Sequence, residues 1–150
     1  MLPEEKRATS TAQGLMRIAA RHRLAQRELE RAIFAAAHQW GLTQRQISDA
    51  VGVYSQATVQ RILRRFAEEP ARLSETPTEV IDQRAAGLIS DDAMIQKLLT
   101  RTYTFGEVAR THGVATDAYT PGDWDEVEMA YYVGLLSDAE FDTVARRHLG

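Results

Sequence analysis

Apolar residues recur along this chain at helical spacing, and alternation with a period of two is sustained nowhere. Over residues 12–40 the pattern puts Leu15, Ile18 and Ala19 on one face, followed by Leu29, Ile33, Ala36, Ala37 and Trp40. It predicts one long helix, or two joined near residues 22–25, ending at Gly41, which suits the left-handed turn after a helix. A second helix is expected to start at Thr43, where Thr43 and Gln46 have the spacing of a capping box. Ile47 and Val51 face inward from it, and the small Ser48 between them permits close approach of the next helix. Gly52 supplies the positive backbone angle of a tight turn, and Val53 is expected to tuck into the core. Ser55 then caps a third helix whose buried stripe is Val59, Ile62, Leu63 and Phe66. The predicted fold class is all-α, with five or six helices and no strand: an N-terminal trihelical helix-turn-helix domain followed by C-terminal helical hairpins.

The hairpins are predicted by a weak internal repeat. Ala86-Gly-Leu-Ile-Ser-Asp-Asp-Ala-Met94 matches Val133-Gly-Leu-Leu-Ser-Asp-Ala-Glu-Phe141. In each copy a helix ends at a glycine, two apolar residues turn inward, and a serine caps the next helix with aspartate in its first turn. Ser137 and Glu140 form a further capping box, and Thr76, Pro77 and Glu79 open the first copy in the same way. The hairpins are expected over residues 77–100 and 123–148, with a partly irregular stretch at 103–122 between them.

Composition divides the 150-residue chain in two. Residues 1–75 hold 12 Lys/Arg against 8 Asp/Glu, a balance of +4; residues 76–150 hold 6 against 13, a balance of −7. A Pro-, Glu- and Ser/Thr-rich stretch separates the halves, so the expected domains are a basic one over 1–70, a linker over 71–76 and an acidic protein-interaction region over 77–150. Hydrophobic residues make up 44% of the chain, enough for a packed core. There is no cysteine, which excludes disulfides and thiolate metal sites and suits a reducing cytosol. The polar N-terminus lacks the apolar stretch of a signal peptide, and no 18-residue apolar run exists, so a cytoplasmic protein without membrane attachment is expected. Arginine outnumbers lysine 16 to 2 (only Lys6 and Lys97), the bias of a GC-rich, for instance actinobacterial, genome.

The third helix has the layout of a recognition helix. With its apolar stripe buried, Gln56, Ala57, Gln60, Arg61, Arg64 and Arg65 remain outside. Amides and short side chains near its start can read base edges in the major groove, and the arginines further on can neutralise phosphates. Thr43, Gln44 and Arg45 at the start of the preceding helix would meet the backbone. The segment Leu42–Gly52, LTQRQISDAVG, followed by SQATVQRIL at 55–63, resembles the trihelical helix-turn-helix of bacterial repressors, resolvases and region 4 of sigma factors, over residues 29–66. The commonest form runs Gly-Val-Ser-Gln-Ala-Thr-Val; here Tyr54 stands between Val53 and Ser55 and lengthens the turn, and it is a candidate phosphate contact. The two-part arrangement also resembles antitoxins of toxin-antitoxin operons. That resemblance implies a DNA-binding repressor half and a C-terminal half that neutralises a toxin, and an acidic half suits a basic toxin surface.

The histidines, His22, His38, His112 and His148, form no metal-binding pair, and no phosphate-binding glycine loop or nucleophile elbow is present, so neither enzyme, metal nor cofactor is expected. The cluster Asp123, Asp125, Glu126 and Glu128 reads as a helix start, with Asp123 as its cap. Trp124, Tyr131 and Tyr132 read as a core face. Tyr103, Phe105 and Tyr119 fall in the irregular stretch; with Trp124 they are the candidate partner-binding residues, forming a contact surface if exposed and anchoring the loop if buried. Arg17, Arg21 and Arg23 fit either DNA tracking or a solvated basic face. The leading expectation is a DNA-binding transcriptional regulator acting as a homodimer on double-stranded DNA, plausibly an autorepressing antitoxin with a toxin partner. The alternatives are a protein-interaction adaptor that does not bind DNA and a small architectural DNA-binding protein.

Overall fold

A computed structural model describes residues 3–150, apart from the side chains of Ala109, Thr116, Asp117 and Ala118. The chain divides into two compact units, one formed by Arg21–Glu75 and the other by the first helix up to Ala20 together with Thr76–Gly150. The all-α class holds, with seven α-helices and one short hairpin of strands among the described residues.

Helix α1 (Pro3–His38) enters the Arg21–Glu75 unit from Arg21 on and ends before Gly41 at φ +68°, where the Leu42 amide donates back to the Ala36 carbonyl at 3.0 Å. Then come α2 (Gln44–Val51) and α3 (Gln56–Glu68). Ile33, Ile47, Val59, Ile62 and Phe66 form the core, with Leu29, Phe34, Ala36, Ala37, Val51, Tyr54 and Leu63 packed around them. Phe34 meets Phe66 edge-on at 5.5 Å, the arrangement aromatic quadrupoles favour. Behind α3 the chain makes a 3-10 turn (Pro70–Leu73). Arg31 reaches from α1 to the carbonyls of Arg72 (3.0 and 3.1 Å) and Ser74 (2.8 Å), which fixes the segment that leaves α3.

The second unit is built from two helical hairpins, α4 (Pro77–Ala85) with α5 (Asp91–Thr100) and α6 (Trp124–Tyr132) with α7 (Asp138–Leu149). α4 packs on α6 and α5 on α7, around Val80, Ile81, Met94, Leu98, Tyr103, Trp124, Val127, Ala130, Leu136 and Val144. The sequence repeat is a structural repeat. At Gly87 (φ +75°) the Leu88 amide bonds the Gln83 carbonyl and the Gly87 amide the Arg84 carbonyl; at Gly134 (φ +83°) Leu135 bonds Ala130 and Gly134 bonds Tyr131. These paired bonds are the Schellman ending of a helix. Ser90 and Ser137 then cap the following helices through the amides of Ala93 and Glu140, both at 3.1 Å. Arg84 joins the two turns, donating to the Leu135 carbonyl at 2.8 Å and to Glu140 at 2.7 Å.

Several expectations are corrected. Residues 107–120 form strands β1 (Glu107–Thr111) and β2 (Val114–Thr120), an antiparallel pair with Thr111 opposite Val114 and Glu107 opposite Thr120. His112 and Gly113, both at positive φ (53° and 79°), make the two-residue turn that matches strand twist. The apolar/polar alternation fails here because the described side chains of both strands are exposed, so no face of the hairpin is selected for apolar residues. Leu15 and Ile18, each 63% exposed, do not line a core: the helix turns its Arg17 and Ala20 side inward, with Ala20 buried and Arg17 lying against Gly87. Trp40 and Val53 are exposed too, at 76% and 77%. Tyr132 is exposed, whereas Trp124 is buried and Tyr131 half-buried. Asp123 does not cap its own helix; its carboxylate accepts from the Thr104 amide (2.6 Å) and from Arg101 (2.7 Å), tying the loop before β1 to the start of α6.

Candidate nucleic-acid interface

The interface begins with two capped helix starts. Thr43 Oγ1 accepts from the Gln46 amide at 3.1 Å, and the Gln46 side chain accepts from the Thr43 amide at 2.9 Å, the reciprocal box expected for α2. Ser55 Oγ accepts from the Thr58 amide at 3.2 Å and starts α3. Between them Gly52 sits at φ +80°, its amide bonded to the Ser48 carbonyl at 3.0 Å. The Ser48 hydroxyl donates to the Tyr54 carbonyl at 2.6 Å. Both ends of the turn are thereby held by α2.

At 100° per residue, Val59, Ile62 and Phe66 occupy one arc of α3 and are buried. Gln56, Ala57, Gln60, Arg61, Arg64 and Arg65 occupy the opposite arc and are all exposed. Thr43, Gln44 and Arg45 are exposed at the start of α2. Arg61 is turned toward the start of its helix, donating to Thr58 Oγ1 at 3.1 Å. The Arg21–Glu75 unit holds nine arginines against six carboxylates, so its formal charge is +3 inside a chain of −3.

Tyr54 differs from its expected place. It is half-buried and packs against the core of the helix-turn-helix, while its neighbour Val53 points outward. Of the four candidate partner-binding aromatics, Tyr103 (7% exposed) and Trp124 (2%) are core residues, which withdraws them as contact residues. Their rings meet edge-on at 5.0 Å, His148 closes on Tyr103 at 4.6 Å, and the Tyr103 hydroxyl donates to the Leu98 carbonyl at 2.6 Å. Burial raises the Tyr103 hydroxyl pKa well above its ordinary value. Phe105 and Tyr119 remain exposed at 47% and 55%. The Tyr119 hydroxyl donates to Asp125 at 3.0 Å, and that bond raises its pKa. Among the described residues no group of three or more His, Asp or Glu side chains is placed to hold a metal ion.

Reading the sequence missed Val53 as a surface residue and Ser48 as a turn clamp. The signal for the first was the extra residue between Gly52 and Ser55, although counting alone does not say which residue moves out. Arg31 carried no local signal, because its carbonyl partners lie more than forty positions away.

Three helices around one core, with capped second and third helices joined by a glycine turn, define a helix-turn-helix domain. Residues 18–75 match the family model of the antitoxin Xre-like helix-turn-helix domain. No curated protein and no solved structure matches the chain. This segment is therefore similar to the helix-turn-helix domain of Xre-like antitoxins, a type of DNA-binding domain. Among the described residues no helix is long and apolar enough to cross a membrane.

Proposed function

We propose that this chain is a sequence-specific transcriptional repressor that binds its operator as a homodimer. The observation that carries the reading is the division of α3 into a buried apolar arc and an exposed arc of Gln56, Ala57, Gln60, Arg61, Arg64 and Arg65. Nothing in the packing of the domain requires amides and arginines there, whereas a major groove does. Gln56 and Gln60 would read base edges, Ala57 would allow close approach, and Arg61, Arg64 and Arg65 would pair with phosphates or guanine. Thr43, Gln44 and Arg45 would meet the backbone on one flank and Ser55 on the other. Tyr54 would act on this surface by supporting the turn. A single helix-turn-helix makes few base contacts, so two copies on a two-fold operator are expected.

The biological role proposed is that of an autorepressing antitoxin in the cytoplasm. Residues 1–70 would bind DNA, 71–76 would link, and 77–150 would bind the toxin. Support comes from the antitoxin-type match over residues 18–75 and from the −7 balance of residues 76–150, which suits a basic protein surface. Of the candidate partner-binding residues, Phe105 and Tyr119 are exposed and available for that contact.

The test is a gel-shift titration of the full-length protein on DNA upstream of its own gene, against unrelated DNA of equal length. The expected result is retardation of the upstream fragment alone, at a stoichiometry of two chains per site. Equal affinity for both fragments would favour an architectural role, and retardation of neither would favour the adaptor. Co-purification with the product of the adjacent reading frame tests the toxin.

A further inference from the structure

The turn between α2 and α3 has one residue more than the commonest form of this motif, and the structure identifies the displaced residue. Tyr54 takes the inward place, packed on the core that contains Ile47 and Val59. Val53 is pushed outward and is 77% exposed. It cannot rotate inward without breaking the bonds on either side: the Gly52 amide to the Ser48 carbonyl at 3.0 Å, and the Ser48 hydroxyl to the Tyr54 carbonyl at 2.6 Å. Two positions later Ser55 caps α3, so the valine stands beside the first turn of the helix that carries Gln56 and Ala57.

We infer that Val53 is a specificity-determining residue of the DNA interface, its isopropyl group contacting the C5-methyl of a thymine in the major groove. The inference rests on reading α3 as the recognition helix. The thymine methyl is the apolar group that a base pair displays in the major groove, and it is recognised by apolar contact. Gln56, Gln60, Arg61 and Arg64 supply hydrogen-bond donors and acceptors, and Val53 brings to the same surface a larger apolar group than the single methyl of Ala57. Its β-branched side chain has few rotamers, so little side-chain freedom is lost on contact. Neither the fold nor the turn uses the isopropyl group, since its neighbours Gly52, Tyr54 and Ser55 hold the geometry through backbone atoms and a cap.

The experiment uses full-length protein and a duplex selected on it from a random-sequence pool. The same duplex is then made with deoxyuridine in place of thymidine, which removes only the C5-methyl groups. Binding of wild type and Val53→Thr is compared on both duplexes; threonine keeps the shape and replaces one methyl by hydroxyl. The expected result is a loss of about fourfold on thymidine DNA, the value of one methyl group removed from water, and less than twofold on deoxyuridine DNA. Val53→Ala should give the same pattern without adding a polar group. Equal losses on both duplexes would assign the contact to sugar or to the turn and overturn the inference, as would no loss on either. If wild type selects no duplex, the DNA-binding reading itself fails and this inference with it; selection followed by indifference to Val53 sinks the inference alone.

Discussion

The Ser48 hydroxyl donates a 2.6 Å hydrogen bond to the Tyr54 carbonyl, closing the turn that sets the start of α3. Both groups are part-buried, so water replaces the bond poorly once it is lost. Ser48→Ala should lower stability by about 1 kcal/mol, seen as a lower urea midpoint at unchanged slope. It should also weaken operator binding, because the N-terminal turn of α3 is then less fixed. A variant with full affinity and lower stability would separate the turn from recognition.

Arg61 and Arg64 stand exposed on the arc of α3 away from the core. If they neutralise phosphates, Arg61→Ala and Arg64→Ala should each weaken binding. Each should also reduce the slope of log K against log salt by about 0.9. Fluorescence anisotropy at several salt concentrations checks this. Unchanged affinity at matched salt would remove α3 as the DNA-reading element.

Arg84 bridges the two helix turns of the C-terminal unit through Leu135 and Glu140. Burial alone would raise the Glu140 carboxyl, but hydrogen bonds from Arg84 and from the Ser137 amide outweigh it and hold the carboxyl below its usual range. A depressed folded-state pKa means that this stabilisation is fully present above the unfolded value of about 4.3 and is lost as pH falls through the lower folded value. Glu140→Gln should therefore cost about 1–2 kcal/mol at neutral pH. The difference from wild type should shrink in acid, which urea denaturation of both proteins at neutral and acid pH would show.

Gly122 lies where the loop before β1 passes the start of α6. A Cβ there would come within 2.6 Å of the Phe105 carbonyl carbon and closer still to the Thr104 carbonyl. The obstacle is backbone and cannot swing aside. Gly122→Ala should displace the Asp123 carboxylate from the Thr104 amide and destabilise the fold by about 1–3 kcal/mol, an overpacking cost. Gly113→Ala, with open space around its Cβ, should strain only the backbone of the hairpin turn. Thermal melts of both variants compare the two effects.

Helix starts and ends were legible because their causes are local. Thr43 with Gln46, Thr76 with Glu79, and Ser137 with Glu140 all form the reciprocal boxes that their spacing implies. Gly52, Gly87 and Gly134 all adopt the positive φ that their position after a helix calls for. The buried arc of α3 followed from helical period, and with it the identity of the residues left outside. The strands were not legible, since a hairpin exposed on both faces carries no period-two signal. Tyr103 was ambiguous for a different reason: an aromatic residue in a loop is a surface or a plug according to what folds over it, and here Trp124 and His148 do.

The sequence by itself determined the helices, the caps of α2, α3, α4, α5 and α7, the repeat of the two hairpins and the polar arc of α3, because each depends on residues within about one or two helical turns of one another. Tertiary structure alone decided which residue the lengthened turn expels. Tyr54 and Val53 are both apolar enough to be buried, and the core of Ile33, Ile47, Val59, Ile62 and Phe66 accommodates Tyr54 there. It also decided that Arg31 ties down the segment behind α3 and that Arg84 joins the hairpin turns, contacts between residues forty or more positions apart. Such pairs are selected by packing and by the need to satisfy polar groups, and neither is visible until the chain has closed on itself.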